Sequence, residues 1–368
     1  MKILELTNFS AGVCGVWTRV LEESKRLTKN HEVRVFSSNL VKGSSAKAKP
    51  KENIHGVKIS RFPAKKLGGE SFMSWSFESS AKKYNPDIII AHSYRHVHTT
   101  KALKIARELN SKVFLVTHAP FVKGNITRSF SSKIVVNFYD KFIGPRNLKK
   151  FDKIIAISKW EIPFLEKLSV PKEKIEYIPN GIPEEFFKQK KSKEELKILF
   201  LGRISPIKDL ETLIHAMKQL KNKSIYLEIV GPAERDYQIK LNDLIRKLNI
   251  KPRVVFSPPI FDIKEKIKKI DSAKIFILPS KSEAMPQSLI EAMAREKIVI
   301  ASDNQGSKDL IIDDKNGYLF PIGNSNELAK KIDFALTTSQ TKLKREAKKA
   351  VEQFSWDKVV KRIEALIN

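Results

Sequence analysis

Residues 197–209 read KILFLGRISPIKD, a mostly apolar run that leads directly into a polar loop. The run predicts a β-strand at 197–201, and a helix is predicted to open at Asp209. Arg203 and Lys208 lie on either side of the loop between them. A helix N-terminus favours anions, and a guanidinium together with an ammonium would neutralise a diphosphate. Taken alone, the two cations are equally consistent with a solvated loop.

The same alternation of short apolar runs and amphipathic helical patterns extends along the whole chain. Further strands are predicted at 3–7, 33–37, 88–91, 113–117, 154–157, 225–230, 254–256, 275–278 and 298–301, and helices at 16–28, 99–109 and 356–367. Strand–helix alternation predicts parallel sheets covered by helices, which is a doubly wound α/β fold.

The alternation restarts after the turn Pro179-Asn180-Gly181 and the polar stretch 188–195. We therefore expect two similar-sized domains, 1–178 and 179–352, with a cleft between them. The remaining residues, 353–368, are expected to form a helix that packs back on the first domain. In open α/β sheets ligands bind beyond the carboxyl ends of the strands, so the residues after each strand are the candidates for a site.

A second candidate loop follows the strand at 275–278 and reads PSKSEAMPQSLIEAM over residues 279–293. Pro286 suits the first turn of a helix, where its missing N–H is not needed. Glu283 then lies in the loop and Glu291 lies over a turn into the helix. Carboxylates can accept hydrogen bonds from vicinal hydroxyls of a sugar or ribose, and the amides near 286–288 would face a phosphate.

The N-terminal half offers weaker signals. A turn of small residues at 10–15 permits close approach of a ligand to the backbone. His92 and His118 are predicted to lie at strand ends that face the cleft, whereas His96 and His98 are not. Because a supporting carboxylate at ligand spacing is missing and no Asp-x-Asp triplet occurs, the sequence predicts neither a metal site nor a cofactor.

The composition restricts the class of protein. The chain has 368 residues, 41% apolar and 30% charged, which is typical of folded domains rather than disordered segments. The single cysteine, Cys14, excludes a disulfide scaffold and fits a reducing compartment. Glu5 interrupts the apolar start where a secretory signal would continue, which predicts a cytoplasmic protein. No run approaches the ~20 apolar residues that span a bilayer.

The net charge is +28, of which residues 1–180 carry +18. Such an excess of cations favours polyanionic partners, namely nucleic acid, an anionic membrane face or phosphorylated small molecules. A general enrichment in lysine is an equally good explanation, because the charges are scattered rather than clustered.

Together these stretches resemble the retaining glycosyltransferases of the GT-B fold, specifically family 4, over nearly the whole chain. The similar segments of the first half are Gly15-Val16, the helix end 30–33, 86–92, 116–118 and 151–158; those of the second half are 178–181, Gly202-Arg203 with Lys208, and Glu283 with Glu291. The resemblance implies two Rossmann-like doubly wound domains that face each other across a cleft. It implies a transferase that moves a sugar from a nucleotide diphosphate to a hydroxyl with the anomeric configuration retained.

The roles of individual residues follow from the resemblance. Arg203 and Lys208 would bind the donor diphosphate and offset the charge on the leaving group, so no metal would be required. Glu291 would bind the ribose, and Glu283 would hold the sugar hydroxyls. The implied donor-binding residues are Gly15, Arg203, Lys208, Glu283, Met285, Pro286, Gln287, Ser288 and Glu291, and the implied catalytic residues are His118, Arg203, Lys208 and Glu283.

The chain departs from the family pattern at several positions. Cys14 replaces the first glycine of a pair, and Ile90 replaces the first histidine of its segment. Residues 296–298 replace the usual Gly-x-Pro, and residues 305–309 replace the usual Gly-Gly-x-Pro-Glu. The diphosphate and ribose contacts are unaffected, whereas the identity of the donor sugar is left unpredicted.

Residues 120–150 are the candidate acceptor region. They combine Phe121, Phe130, Phe138, Tyr139 and Phe142 with Lys123, Arg128, Lys133, Lys141, Arg146, Lys149 and Lys150. One interpretation is a helical face that docks on anionic lipid headgroups; the other places the rings in the core and the lysines in solvent. We predict a peripheral enzyme at the inner membrane face that acts on a lipid-linked glycan or glycolipid. The alternatives are a sugar-nucleotide epimerase of the same fold and a basic nucleic-acid-binding protein, although no nucleic-acid-binding motif is present.

Overall fold

A computed structural model describes residues 1–12, 14–66, 69–121, 130–188 and 193–368, with the side chains of 130–133 excepted. The chain divides into two compact units. Unit 1 comprises the described residues up to Gly181 together with Trp356–Asn368, and unit 2 comprises those of Ile182–Ser355. The chain thus changes unit three residues after each of the two domain boundaries expected from the sequence.

Unit 1 is built on a sheet in which the strand order is β10-β9-β8-β7-β1-β2-β4-β3. Its strands are β1 Lys2–Thr7, β2 Glu32–Ser38, β3 Lys51–Ile54, β4 Val57–Phe62, β5 Ala64–Lys66, β6 Met73–Trp75, β7 Ile88–His92, β8 Lys112–Val116, β9 Lys153–Ala156 and β10 Ile175–Tyr177, of which β5 and β6 form a separate hairpin. All the pairs of the main sheet are parallel except β3 with β4. The central strands are apolar and buried because helices cover both faces.

The helices of the N-terminal part of unit 1 are α1 Gly15–Leu27, α2 Glu78–Tyr84, α3 Val97–Leu109, α4 Phe130–Phe138, α5 Gly144–Leu148 and α6 Ile162–Lys167, with a π-helical turn at Tyr139–Ile143. The chain runs from β1 outward to β2 on one side and returns to β7 on the other side of β1. The segments after β1 and β7 therefore meet at the topological switch point of this sheet, where open α/β folds bind ligands.

Unit 2 contains a parallel sheet with the order β13-β12-β11-β14-β15-β16. Its strands are β11 Lys197–Leu201, β12 Tyr226–Val230, β13 Val254–Ser257, β14 Ile275–Leu278, β15 Ile298–Ser302 and β16 Tyr318–Phe320. Its helices are α7 Leu210–Gln219, α8 Arg235–Lys247, α9 Ile263–Asp271, α10 Gln287–Ala294, α11 Gln305–Lys308, α12 Ser325–Thr337 and α13 Thr341–Val351. Here β11 and β14 are neighbours, so the switch point lies between the loops that follow them.

The last helix, α14 (Trp356–Ile367), belongs to unit 1 and packs against α1. Arg26 Nε donates to Asp357 at 2.9 Å, and Asn30 donates to Glu364 at 2.9 Å. The buried Trp356 indole covers Gly181 so closely that a Cβ there would lie 2.5 Å from it. Among the described residues, no helix combines the length and apolarity needed to cross a membrane.

The doubly wound fold expected from the sequence is confirmed, and each predicted strand forms within two residues of its predicted limits. The short strands β3 to β6, β10 and β16 were not predicted from the sequence. Strand β3 reads KENI and is mostly exposed at a sheet edge, so it lacks the apolar run on which the prediction depends.

Candidate functional site

Two loops meet at the switch point of unit 2. The loop after β11 carries Arg203 and Lys208, and the loop after β14 carries Glu283. The amide of Lys281 donates to the carbonyl of Ile207 at 2.9 Å, so the two loops are joined by a backbone hydrogen bond. The neighbouring positions of β11 and β14 therefore bring these predicted residues to one edge of one sheet.

Lys208 and Glu283 form an ion pair in which Nζ donates to Oε1 at 2.5 Å. The Lys208 side chain is 19% exposed and that of Glu283 is 12% exposed, so both are shielded yet accessible. An ammonium has three donors, which leaves Lys208 able to bind phosphate oxygens while it holds Glu283. Arg203 is exposed on the same loop.

The backbone of the Glu283 loop is held by the segment after β15. Asn304 Nδ2 and Ser302 Oγ both donate to the carbonyl of Ser280, at 3.0 Å and 2.5 Å. Gly306 approaches the loop so closely that a Cβ would lie 2.7 Å from the carbonyl oxygen of Glu283. The segment 305–309, which departs from the family pattern in sequence, therefore supports the Glu283 loop through a position that only glycine fits.

Glu291 lies on α10 and is only 5% exposed. Lys266 on α9 donates from Nζ to its Oε1 at 2.6 Å, while Oε2 is buried and has no hydrogen-bond partner among the described residues. Burial raises the pKa of Glu291, and the Lys266 ammonium opposes that rise. Lys266 was not predicted as a site residue, because it is one of several lysines on an amphipathic helix and nothing in that pattern distinguishes it.

The start of α10 differs by one residue from the prediction. Pro286 is the N-cap rather than a residue of the first turn, and its carbonyl accepts from the amides of Leu289 and Ile290 at 3.1 and 3.2 Å. Met285 precedes the cap, and Gln287 and Ser288 are the first helical residues. Amides of a first helical turn have no carbonyl partner within the helix, so they suit an anion.

His118 lies in unit 1 directly after β8, where it and Ala119 adopt left-handed backbone conformations with φ of 57° and 52°. Glu161 stabilises this turn: its Oε2 accepts from the Ala119 amide at 2.9 Å and from Thr117 Oγ1 at 2.5 Å. Its Oε1 accepts from the amides of Ile157 and Ser158. The sequence analysis did not identify Glu161, whose role depends on a contact between distant segments.

His92 lies at the end of β7, as predicted, but its side chain is fully buried instead of open to a cleft. Its Nε2 is hydrogen-bonded to Glu5 at 2.6 Å and its Nδ1 to His118 Nε2 at 2.9 Å. Burial lowers the pKa of His92 to about 4 and raises the pKa of Glu5 to about 8. The cleft-facing orientation was wrong because Glu5, on the adjacent strand β1, gives the imidazole a buried partner on the same face of the sheet.

The glycines after β1 have different roles. Gly12 has φ of 85° and touches residue 42 so closely that a Cβ would lie 2.4 Å from the Lys42 carbonyl oxygen. Gly15 begins α1, and a Cβ there would meet nothing within 4 Å. Packing within unit 1 therefore requires glycine at position 12, whereas the space beside Gly15 is open.

Some aromatic rings of residues 120–150 pack on the core and others are exposed, as expected of a docking face. Phe121 and Tyr139 are half-buried and pack on the core of unit 1, whereas Phe138 and Phe142 are 57% and 50% exposed. The predicted acceptor residues Lys123 and Arg128 lie outside the described residues, as do the side chains of Phe130 and Lys133.

Among the described residues, no group of three or more histidine, cysteine or acidic side chains is arranged to hold a metal ion. The expectation that the reaction needs neither metal nor cofactor stays a prediction.

Comparison with known proteins gives two family models that together span most of the chain. Glycosyltransferase Family 4 matches residues 13–186, and Glycosyl transferases group 1 matches residues 181–354. An uncharacterized glycosyltransferase of Methanocaldococcus jannaschii is 27% identical over 94% of this chain and 93% of its own. The lipopolysaccharide 1,2-N-acetylglucosaminetransferase of Salmonella typhimurium is 28% identical over 64% of this chain and 67% of its own.

Among solved structures, HepE from Anabaena in complex with UDP-glucose superposes with a TM-score of 0.75 at 20% identity, covering 100% of this chain and 99% of its own. The fold is therefore GT-B, and the chain belongs to the group 1 glycosyltransferases. The protein is a glycosyltransferase, and membership of this family favours that activity over both alternatives, the epimerase and the nucleic-acid-binding protein.

Proposed function

We propose that the protein transfers a sugar from a nucleotide-diphosphate sugar to a hydroxyl of an acceptor, with retention of the anomeric configuration. The observation that carries the proposal is the Lys208–Glu283 pair at the switch point of unit 2, beside the exposed Arg203 and the start of α10. Two cations next to first-turn helix amides suit a diphosphate, and a nearby carboxylate suits sugar hydroxyls. The complex of HepE with UDP-glucose supports a donor of this class.

In the proposed reaction each residue of unit 2 has one task. Arg203 and Lys208 bind the diphosphate and stabilise the negative charge that develops on the leaving group. Glu283 accepts hydrogen bonds from the sugar hydroxyls, the amides of residues 285–288 lie near the phosphates, and Glu291 binds the ribose. The acceptor hydroxyl attacks the face from which the diphosphate leaves, and the leaving phosphate takes its proton. The bond from the anomeric carbon to the phosphate oxygen breaks as the bond to the acceptor oxygen forms.

Two residues of unit 1 complete the proposal. His118 contacts the sugar near the reacting carbon. The turn that carries His118 is held in place by Glu161 and by the buried Glu5–His92 pair. Gly15 allows the backbone after β1 to approach the phosphates, and the open space beside its Cα is consistent with this.

Incubation with UDP-, GDP- and ADP-sugars tests the donor class. Transfer or slow donor hydrolysis is expected with one nucleotide, and is expected to be lost in Lys208→Ala and Glu283→Ala. Lys348→Ala is a matched control, since Lys348 pairs with Glu296 at 3.1 Å and is also 19% exposed. Activity that survives in both site variants would refute the proposed site, and a protein that binds no nucleoside diphosphate would refute the donor class.

We further propose that the acceptor is a lipid-linked glycan or glycolipid and that the enzyme docks peripherally on the anionic cytoplasmic face of a membrane. Exposed apolar side chains lie on α4 and in the π-helical turn: Ile134, Val135, Phe138, Phe142 and Ile143. Exposed cations lie among and after them in the chain: Lys141, Arg146, Lys149 and Lys150. Apolar side chains that enter the headgroup region next to cations that attract anionic lipid are the features of an interfacial helix.

Co-sedimentation with vesicles containing phosphatidylglycerol tests this part of the proposal. Wild type is expected to bind at low salt, and the double variant Phe138→Ser/Phe142→Ser to lose most of the binding. Phe334→Ser is the control, because Phe334 is 51% exposed on unit 2 and far along the chain from α4. Equal binding of all three proteins would exclude this face as the docking surface.

A further inference from the structure

The two carboxylate oxygens of Glu291 differ in their hydrogen bonding. Lys266 Nζ occupies Oε1 at 2.6 Å, whereas Oε2 is buried with no partner among the described residues. The Glu291 side chain is 6% exposed and that of Lys266 is 23% exposed, so the pair is largely removed from water. A buried acceptor without a partner destabilises a protein, and a ligand that donates to it removes the penalty.

The surroundings of Lys266 limit where its ammonium can go. It lies 5.7 Å from the centre of the Phe186 ring, and Phe186 is itself held by Arg295, which donates to its carbonyl at 3.3 Å. Arg295 is in turn paired with Asp271 at the end of α9, the helix that carries Lys266. The Lys266 ammonium is therefore enclosed by the Phe186 ring and the Glu291 carboxylate, which are both fixed within unit 2.

The position of Glu291 on α10 fits the spacing of a nucleotide. Glu291 lies four residues after Gln287, the first residue of the helix, which corresponds to about 6 Å along the axis. A nucleoside diphosphate carries its ribose directly beside the α-phosphate. If the phosphates lie at the start of α10, as the proposed function requires, the ribose lies within reach of Glu291.

We propose that Lys266 is a positioning residue of the ribose subsite, which occupies Oε1 of Glu291 and so leaves Oε2 as the acceptor for a ribose hydroxyl. The inference rests on the proposed function and deepens it, because it assigns selectivity for ribonucleotides over deoxyribonucleotides to a residue that does not touch the nucleotide. Burial raises the pKa of Glu291, and the nearby Lys266 ammonium opposes that rise.

Binding of UDP, GDP and ADP and of their 2′-deoxy and 3′-deoxy counterparts to the full-length protein tests the proposal by calorimetry. For the nucleotide that wild type binds, one of the two deoxy forms is expected to bind ~10-fold more weakly, since a hydrogen bond to a charged group is lost. In Lys266→Met the ribonucleotide is expected to lose ~10-fold in affinity while that deoxy form changes less than about 2-fold. The discrimination should therefore disappear.

Three companion variants separate positioning from folding. Lys266→Arg keeps a cation next to Glu291 and is expected to retain most of the discrimination between ribo and deoxy forms. Glu291→Gln combined with Lys266→Met should lose no more discrimination than either single variant, because both changes act on one interaction. Lys269→Met is the control on the same helix, since Lys269 pairs with Glu228 instead. During turnover, Lys266→Met should raise KM for the donor with little change in kcat.

The outcomes distinguish the inference from the function on which it rests. A Lys266→Met protein that keeps the wild-type ratio of ribo to deoxy affinities overturns the positioning role even if it is less stable. If that variant does not fold, a folded Lys266→Arg protein that no longer discriminates between ribo and deoxy forms overturns it as well. A wild-type protein that binds none of the nucleoside diphosphates refutes the donor class, whereas one that binds ribo and deoxy forms equally refutes the ribose contact alone.

Discussion

A buried cluster in unit 1 and the candidate site of unit 2 place their charged groups in opposite ways. In unit 1, Glu5, Arg19, Glu23 and His92 are all fully buried, and Arg19 Nε pairs with Glu23 at 3.0 Å. In unit 2 each carboxylate assigned to the site has its own ammonium, and Lys208 and Lys266 both remain partly accessible. Burial dominates the first set: it raises the pKa of Glu5 to about 8 and that of Glu23 to about 7 in spite of the nearby Arg19.

This difference shows what each set of charges is suited to do. A fully buried network is closed to substrate, so its contribution is to hold β1, β7, α1 and the segment before Gly181 together. A partly accessible ion pair can exchange part of its hydrogen bonding for a ligand. Changes in the buried cluster of unit 1 should therefore alter stability, and changes in the ion pairs of the candidate site should alter donor binding and rate.

The largest effect is expected from Arg19→Met. Arg19 donates to the carbonyls of Ile178 and Pro179 and to Asn180, besides Glu23, so its loss leaves several buried acceptors without a donor. Removing one partner of a buried pair costs about 3–5 kcal/mol of unfolding free energy. Chemical denaturation measures this loss of unfolding free energy. The double variant Arg19→Met/Glu23→Leu, which removes both partners, should recover part of it. A change below about 1 kcal/mol would contradict a structural role.

A slightly smaller effect, now on rate, is expected from Lys208→Ala. The loss of a cation that stabilises a leaving group lowers kcat/KM by roughly 100- to 1000-fold, with little change in the unfolding midpoint. Steady-state kinetics with the identified donor measures the fall in kcat/KM, with Lys348→Ala as the control. Should Lys208→Ala unfold at much lower denaturant instead, the pair would be structural, like that of unit 1.

A moderate effect is expected from Gly306→Ala, which probes the support of the Glu283 loop. The new Cβ would lie 2.7 Å from the carbonyl oxygen of Glu283 and 3.0 Å from that of Ala284, so backbone must move. Overpacking of this kind costs about 1–3 kcal/mol, and the displaced Glu283 should raise KM for the donor. Gly69→Ala is the control, because a Cβ there meets nothing within 4 Å. Unchanged kinetics would show that the loop adapts.

The most gradual effect is a dependence of stability on pH. The folded state raises the pKa of Glu5 from 4.5 to about 8, mainly by burial, so it binds this proton more tightly than the unfolded state does. The stabilisation is complete below the unfolded value and is lost as the pH rises towards 8, by at most about 1.4 kcal/mol per pH unit.

Thermal unfolding between pH 6 and pH 9 measures this dependence. In Glu5→Gln the fall with pH should be shallower, and the remaining slope should carry the contribution of Glu23, which has the same sign. His92, with its pKa lowered to about 4, stays neutral over this range. Equal slopes in wild type and Glu5→Gln would contradict the buried proton.

The fold was predictable because its central strands are apolar on both faces. Residues 88–91 and 275–278 are short buried runs whatever their partners, so pattern alone identifies them. Of the candidate site, Lys208, Glu283 and Glu291 were accessible to sequence reasoning, since each follows a predicted strand and matches a family motif. Lys266 and Glu161 act through contacts made only in the folded chain. The burial of His92 depends on Glu5, 87 residues earlier.

Unit 2 begins and ends at a single place. The amide of Ile182 donates to the carbonyl of Phe354 at 2.7 Å, and Ile182 forms a bridge with Ser355, so the first and last residues of this unit lie side by side. Topologically it is an insertion into unit 1, whose own chain resumes at Trp356 beside Gly181. Such an arrangement lets residues 182–355 be exchanged with those of a relative as one cassette through two adjacent junctions.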